Sequence, residues 1–192
     1  MSTTHPAMAA RLLDAFAGSA ARVYGGEPVS ELAHSLQCAE LAREAGADEH
    51  LQLACLLHDV GRFTVDPRDI FDKKDQAIGA QAGARGHHDV GADLIAPWVP
   101  ARVAWLVRMH ADAKRYLCAT EPTYFDALTS GSRFTLTLQG GVMTAEEAAR
   151  LARHPWMADA VRLRRWDDLA KVPGKPTDPI EAWAPLLREY FR

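Results

Sequence analysis

Leu53-Ala54-Cys55-Leu56-Leu57-His58-Asp59-Val60-Gly61 is the stretch on which the reading of the fold turns. A nonpolar run ends on an imidazole and a carboxylate, and a glycine then breaks it. The run has the character of a buried helix, so Asp59 sits where water is scarce. Leaving a carboxylate unpaired there costs several kcal/mol, and a metal ion is one of the few partners that removes that cost. The bland alternative for Asp59 is a hydrogen bond at the helix end.

Working outward, His34 stands upstream, and His87, His110 and Asp167 stand downstream. Together with His58 and Asp59 they are six nitrogen and oxygen donors on five segments, most of them helical by pattern. A carboxylate beside a histidine can bind one metal through each oxygen. Two divalent ions about 3.5–4 Å apart need roughly this many ligands plus open positions for chemistry. The pattern predicts a dinuclear metalloenzyme. His88 competes with His87 for the third segment, and Asp168 with Asp167 for the last. His5, His50 and His154 lie near helix ends or the terminus and read as solvated.

Composition narrows the class. A chain of 192 residues fits one domain, here taken as 1–192, and 48% hydrophobic residues supply a core. The net charge of −3 argues against a nucleic-acid footprint, which would carry a basic stripe. No run approaches the roughly 18 apolar residues of a membrane span. The N-terminus lacks the form of a secretion signal, so the expected location is cytoplasmic. Cys38, Cys55 and Cys118 are odd in number and far apart, and read as buried thiols. Without clustered sulfur, the site suits a metal at ease with imidazole and carboxylate, such as iron, manganese or zinc.

Helical periodicity dominates and no useful strand alternation appears. Helices are expected over Ala7–Ala21, from the Ser30 cap to Glu44, and from the Asp48 cap to His58. Residues 62–86, with Pro67 and a charged patch, read as a long loop, a common form for a lid. Helices resume over His87–Ala96 and Ala101–Leu117, whereas Glu121–Leu138 is ambiguous. Thr144 and Glu147 have the spacing of a capping box for a helix to about Arg153. Trp156–Lys171 and a segment after Pro179 complete an all-α bundle with the site inside.

These residues carry a family resemblance. His34, His58-Asp59 and a late Asp167 resemble the HD-domain superfamily of helical metal-dependent phosphohydrolases, and His87 and His110 match its binuclear branch. Finer blocks are similar to the mixed-valent diiron oxygenases that cleave the carbon–phosphorus bond of 1-hydroxy-2-aminoethylphosphonates. They are Tyr24-Gly25-Gly26-Glu27, His34 to Gln37, His87 to Gly91, His110 to Lys114, Ser132 to Thr135 with Gln139-Gly140-Gly141, and Arg164 to Asp167. They span residues 24–171 in the same order.

The resemblance implies two iron ions, Fe(II)/Fe(III), held by His34, His58, Asp59, His87, His110 and Asp167 with Asp59 bridging, and O2 as co-substrate. Tyr24 would cap the second iron until substrate arrives. Glu27 would receive the substrate's ammonium, and Gln37, Lys114, Ser132, Thr135 and Arg164 would hold the phosphonate and its surroundings. Arg62 departs from the family, which has a histidine there, and marks a remodelled pocket that tilts the expectation toward a trimethylated amine. The products would be phosphate and glycine, or glycine betaine from the trimethylammonio substrate.

The spacing is compatible with these roles. Lys114 follows His110 by four residues and shares its helix face. Arginine, lysine and two hydroxyls suit a phosphonate dianion. Plainer readings remain: a solvated Lys114, a surface Gln37, an Arg164–Asp167 ion pair, and Ser132 and Thr135 as turn residues in a loop. Rival functions are a binuclear HD phosphohydrolase acting on a phosphomonoester or nucleotide, a polyol oxygenase, and a ligand sensor without activity.

Overall fold

Side-chain caps set where the helices begin. The computed structural model describes residues 6–24, 27–62 and 86–191. After α1 (Pro6–Ser19), Ser30 Oγ accepts from Ala33 N at 3.1 Å and opens α2 (Glu31–Glu44). Asp48 Oδ1 accepts from Leu51 N at 3.0 Å and opens α3 (Glu49–Leu57). Each such cap satisfies a backbone donor that the helix cannot, worth about 1 kcal/mol. Between these helices Gly46 has φ +66°, and Ala47 N donates back to Ala42 O at 3.0 Å. That left-handed turn ends α2 at little cost only for a residue without Cβ.

A 3-10 turn, Val60–Arg62, follows α3. Then come α4 (His87–Ile95), α5 (Ala101–Thr120), α6 (Tyr124–Ala127), α7 (Ser130–Leu138), α8 (Ala145–Leu151) and α9 (Met157–Leu169). A second 3-10 turn, Ile180–Trp183, leads into α10 (Ala184–Tyr190). The capping box at Thr144 and Glu147 is present, with both hydrogen bonds made. The expected long loop falls at residues 63–85, outside the described residues, and so does the reading of it as a lid. The ambiguous stretch before Gln139 resolves into α6 and α7, capped by Thr129 Oγ1 on Ser132 N at 3.2 Å. Ser132 and Thr135 therefore stand on a helix and not in a loop, which corrects the sequence reading.

The core explains why α3 is apolar from Leu53 to Leu57. It packs against α2, α5 and α9, and Leu51, Leu53, Ala54, Cys55, Leu56 and Leu57 are all fully buried. The part of a helix enclosed on every side has no polar face to keep. Cys38 and Cys55 are buried as expected, while Cys118 is only partly so. Phe16 of α1 and Phe191 after α10 are fully buried in the same core.

One contact fixes α4. A Cβ added to Gly61 would lie 2.1 Å from His87 O and 2.8 Å from Gly91 N. The 3-10 turn and α4 thus touch backbone to backbone, with a glycine on each side. This brings His87 beside the residues that end α3.

Candidate metal centre

Five segments deliver the expected ligands to one buried point. His34 comes from the first turns of α2, His58 and Asp59 from the end of α3, His87 from the start of α4, His110 from mid-α5, and Asp167 from the last turns of α9. All six are essentially inaccessible to solvent. They form two groups that share Asp59: His34, His58 and Asp59, and Asp59, His87 and His110. Asp59 Oδ2 faces His34 Nε2 at 3.7 Å and His58 Nε2 at 3.5 Å. Its Oδ1 faces His87 Nε2 at 2.8 Å and His110 Nε2 at 3.7 Å. Asp167 Oδ1 joins the first group, 3.4 Å from His34 Nε2.

The donors are set for a cation. His34 Nδ1 donates to Ala170 O, His58 Nδ1 to Cys55 O and His110 Nδ1 to Val107 O, each at 2.7 Å. Those bonds put the proton on Nδ1 and leave the Nε2 lone pair pointing inward. The Nε2 atoms of His34 and His58 are then 3.0 Å apart, lone pair against lone pair. His87 and His110 approach equally closely through Nε2, also at 3.0 Å. Neither oxygen of the buried Asp59 accepts a hydrogen bond of good direction among the described residues, although His87 and Arg62 come close. Clustered lone pairs around an acceptor without directed donors are costly unless a positive ion sits between them. The residues fit a pair of metal ions bridged by Asp59.

Charge states agree. Burial is the largest influence on His58, His87 and His110 and holds each below the ordinary imidazole value, His87 at about 3. Burial pushes Asp59 up, but Arg62, His58 and His87 outweigh it and hold the carboxylate well below its usual range. Arg164 is the chief influence holding Asp167 down against burial. His58, His87 and His110 are therefore neutral imidazoles and Asp59 and Asp167 ionised carboxylates, the forms that bind metals.

The same shifts predict the acid response of the chelated protein. A histidine whose folded pKa lies below its unfolded value near 6.5 takes up a proton on unfolding. Stability from these residues is intact above about pH 6.5 and falls as the pH drops toward about 3. The two carboxylates act in the same direction only below about pH 4. Thermal unfolding in the presence of a chelator should show a midpoint lower near pH 5.5 than near pH 7.5. A midpoint that rises on acidification would mean that the imidazoles are charged.

Around the ligands, Tyr24 stacks on His34 with ring centroids 3.8 Å apart, and its hydroxyl is 3.5 Å from Asp167 Oδ1. It thus stands at the His34–His58–Asp167 group and not beside His87 and His110. Burial, then Asp167 and Asp59, push the phenol well above its usual pKa. The turn that carries Tyr24 is tied down by Arg22, which pairs with Glu31 at 2.7 Å and reaches Arg62 O at 2.9 Å. Glu27 lies in that turn, half-buried, with its amide on Tyr24 O at 2.6 Å.

Arg62 is buried, with Nε 3.0 Å from Asp59 Oδ1 and its guanidinium 5.3 Å from the centre of the Tyr24 ring. Lys114 is buried too; its Nζ donates to Thr135 Oγ1 at 2.7 Å and to Ser132 O at 3.2 Å. Arg164 pairs with Asp167 at 2.7 Å and also with Asp168, so the plainer ion-pair reading describes part of its role. The Gln37 amide is committed at both ends to the Val172 backbone, at 2.9 and 3.1 Å, and pins the segment after α9. His87 and not His88 faces Asp59, and Asp167 and not Asp168 faces His34. His154 is half-buried and stacks on Trp105 at 3.9 Å instead of being solvated.

Two residues that sequence reading missed belong to this neighbourhood. Tyr124 on α6 bonds to Asp168 and accepts from Arg164 Nε at 3.1 Å. No local pattern points to it. Lys171 Nζ donates to Ser132 Oγ at 3.1 Å. Its spacing of four from Asp167 was the available signal.

The sequence is similar to a known domain family and to known proteins. The model of the HD domain family matches residues 32–165. A [1-hydroxy-2-(trimethylamino)ethyl]phosphonate dioxygenase (glycine-betaine-forming) from Leisingera caerulea is 36% identical, over 86% of this chain and 81% of its own. A hydroxymethylphosphonate dioxygenase from Gimesia maris is 40% identical, over 82% and 75% respectively. An uncharacterized protein of Acanthamoeba polyphaga mimivirus is 31% identical, over 94% and 78%.

Proposed function

The chain belongs to the HD-domain family, and from that premise we propose that it is an O2-dependent dioxygenase that cleaves the carbon–phosphorus bond of a 1-hydroxyphosphonate. The single observation that carries the reading is Asp59, which offers one oxygen to each of two histidine pairs in a dry site. Two relatives named as phosphonate dioxygenases support the choice of chemistry. Iron, as an Fe(II)/Fe(III) pair on His34, His58, Asp59, His87, His110 and Asp167, would supply O2 activation and removal of the hydrogen on C1.

The remaining work falls to the chain's own side chains. Lys114, Arg164, Ser132 and Thr135 would hold the phosphonate, with Arg164 exchanging part of its pairing with Asp167 and Asp168 for the substrate. Tyr24, neutral and stacked on His34, would keep its pole of the site closed until substrate displaces the hydroxyl. Gln37 would act through the Val172 backbone. Arg62, beside Asp59 and Tyr24, would border the C1 substituent. Charge-assisted donors around a dianion in a dry site are strong and need no rearrangement during the reaction. The balance is R–CH(OH)–PO3(2−) + O2 → R–COO(−) + H2PO4(−), with both oxygen atoms in the products and no added reductant.

Where the substrate carries an amino or trimethylammonio group, as in 1-hydroxy-2-aminoethylphosphonate, Glu27 would pair with it and the organic product would be glycine or glycine betaine. Glu27→Ala should then weaken binding of the ammonium-bearing substrate by about tenfold with metal content unchanged. Equal weakening of hydroxymethylphosphonate, which has no ammonium, would remove Glu27 from that role. No helix among the described residues is long and apolar enough to cross a membrane, and the basic stripe of a nucleic-acid binder is missing from the sequence. We take 1–192 as one domain acting in the cytoplasm on a small organophosphonate.

The test is phosphate release from 1-hydroxyphosphonates by the iron-loaded protein with and without oxygen. Release should stop when oxygen is withdrawn and should match oxygen consumption one to one. Release that continues anaerobically would identify a metal-hydroxide phosphohydrolase instead.

A further inference from the structure

Two lysines converge on one residue of α7. Lys114, from α5, reaches the Ser132 carbonyl and the Thr135 hydroxyl. Lys171, just past the end of α9, donates to the Ser132 hydroxyl at 3.1 Å. Lys171 also lies 6.0 Å from the centre of the Tyr24 ring, and its side chain is only 8% exposed. Arg164 is the third cation of this corner, buried and paired with Asp167 and Asp168.

The local charges do not balance. Asp167 is a metal-ligand position, and Asp168 is shared by Arg164, Tyr124 and, at 3.6 Å, Lys171. Three basic side chains, Lys114, Arg164 and Lys171, therefore face two carboxylates, one of which the metal claims. Burial and then Arg164 already hold the Lys114 ammonium well below its usual pKa, as expected of cations crowded in a dry site. A phosphonate dianion supplies the missing negative charge, and the Ser132 hydroxyl marks where it would sit.

We propose that Lys171 is a substrate-binding residue that donates to the phosphonate together with Lys114 and Ser132, forming the side of the anion site contributed by the segment after α9. The proposal rests on the phosphonate reading above. Two further features support it. The bond from His34 Nδ1 to Ala170 O and the Gln37 clamp on Val172 fix the backbone on both sides of Lys171. An ammonium on so firmly held a backbone is preorganised and loses little freedom on binding.

The test uses iron-loaded full-length protein under anaerobic conditions with methylphosphonate, a dianion that has no C1 hydroxyl to oxidise. Calorimetric titration should show Lys171→Met weakening binding by at least about tenfold, Lys171→Arg retaining most of it, and Arg150→Met, at an exposed position of α8, leaving it unchanged. Iron content should be equal in all four proteins. In turnover with oxygen, Lys171→Met should raise KM far more than it lowers kcat, because the contact is made in ground and transition states alike. Undiminished binding by Lys171→Met overturns the proposal. Loss of iron or of thermal stability in Lys171→Arg as well as in Lys171→Met would assign the lysine a structural role and overturn it too. Failure of the wild type to release phosphate from any 1-hydroxyphosphonate would sink the dioxygenase reading, whereas the binding comparison would still decide the role of Lys171.

Discussion

Asp59→Ala should abolish the dinuclear centre. One oxygen of this carboxylate faces His34 and His58, the other faces His87 and His110, so a single substitution removes a ligand from both metals. Residues that merely orient a ligand typically matter by about 10–100-fold in metal affinity or activity. Loss of a shared ligand should exceed that, giving at least about a thousandfold drop in phosphate release. Bound metal should fall below about one ion per chain, as measured by elemental analysis. Asp59→Asn, which keeps the volume, should behave alike, because an amide is a poor bridge between two cations. A protein that still binds two metals after either change would show that Asp59 serves only to pair with Arg62.

Gly61→Ala should be the most damaging small substitution outside the ligands. The added methyl would meet His87 O at 2.1 Å and Gly91 N at 2.8 Å, and both obstacles are backbone. No rotamer change relieves such a clash, so α4 must move away from the turn after α3. A destabilisation of about 3–5 kcal/mol is in keeping with such mechanisms. In a chain of this size that lowers the melting temperature by roughly 10 °C. Because α4 also carries His87, the metal shared with His110 should be lost before its neighbour. The measurements are calorimetric unfolding and metal stoichiometry. An unchanged melting temperature with two metals bound would mean that α4 packs less closely than described.

These expectations rest on features that differ in how visible they are in the chain. The caps at Ser30, Asp48 and Thr144 are local, because the donors they satisfy lie within three residues. They could be read directly, and so could the buried run that ends on His58-Asp59. The C-terminal ends of α1 and α5 shift by a few residues, as helix ends commonly do. Residues before Gln139 resisted reading because α6 is a single turn and α7 is half exposed.

The candidate site divides in the same way. The six donors that converge could be read in sequence because metals demand particular donor types, and the resemblance selected His87 and Asp167 from their neighbours. Lys171 was overlooked although its spacing from Asp167 was in view, since a lysine near a helix end is usually solvated. Tyr124 could not be found at all, being joined to Asp168 and Arg164 from 40 or more residues away. The bonds of Gln37 to the Val172 backbone were out of reach for the same reason.

Sequence alone therefore determined the all-α class, the starts of the capped helices and the donor set, because each depends on neighbours within a turn or on the chemistry of one side chain. Tertiary structure decided which ligands share a pole, on which side Tyr24 stands, and how Lys114 and Lys171 meet at Ser132. Those outcomes depend on contacts between segments up to 143 residues apart, such as Tyr24 with Asp167. Their geometry is set by how closely the helices pack, down to the absence of one methyl group at Gly61.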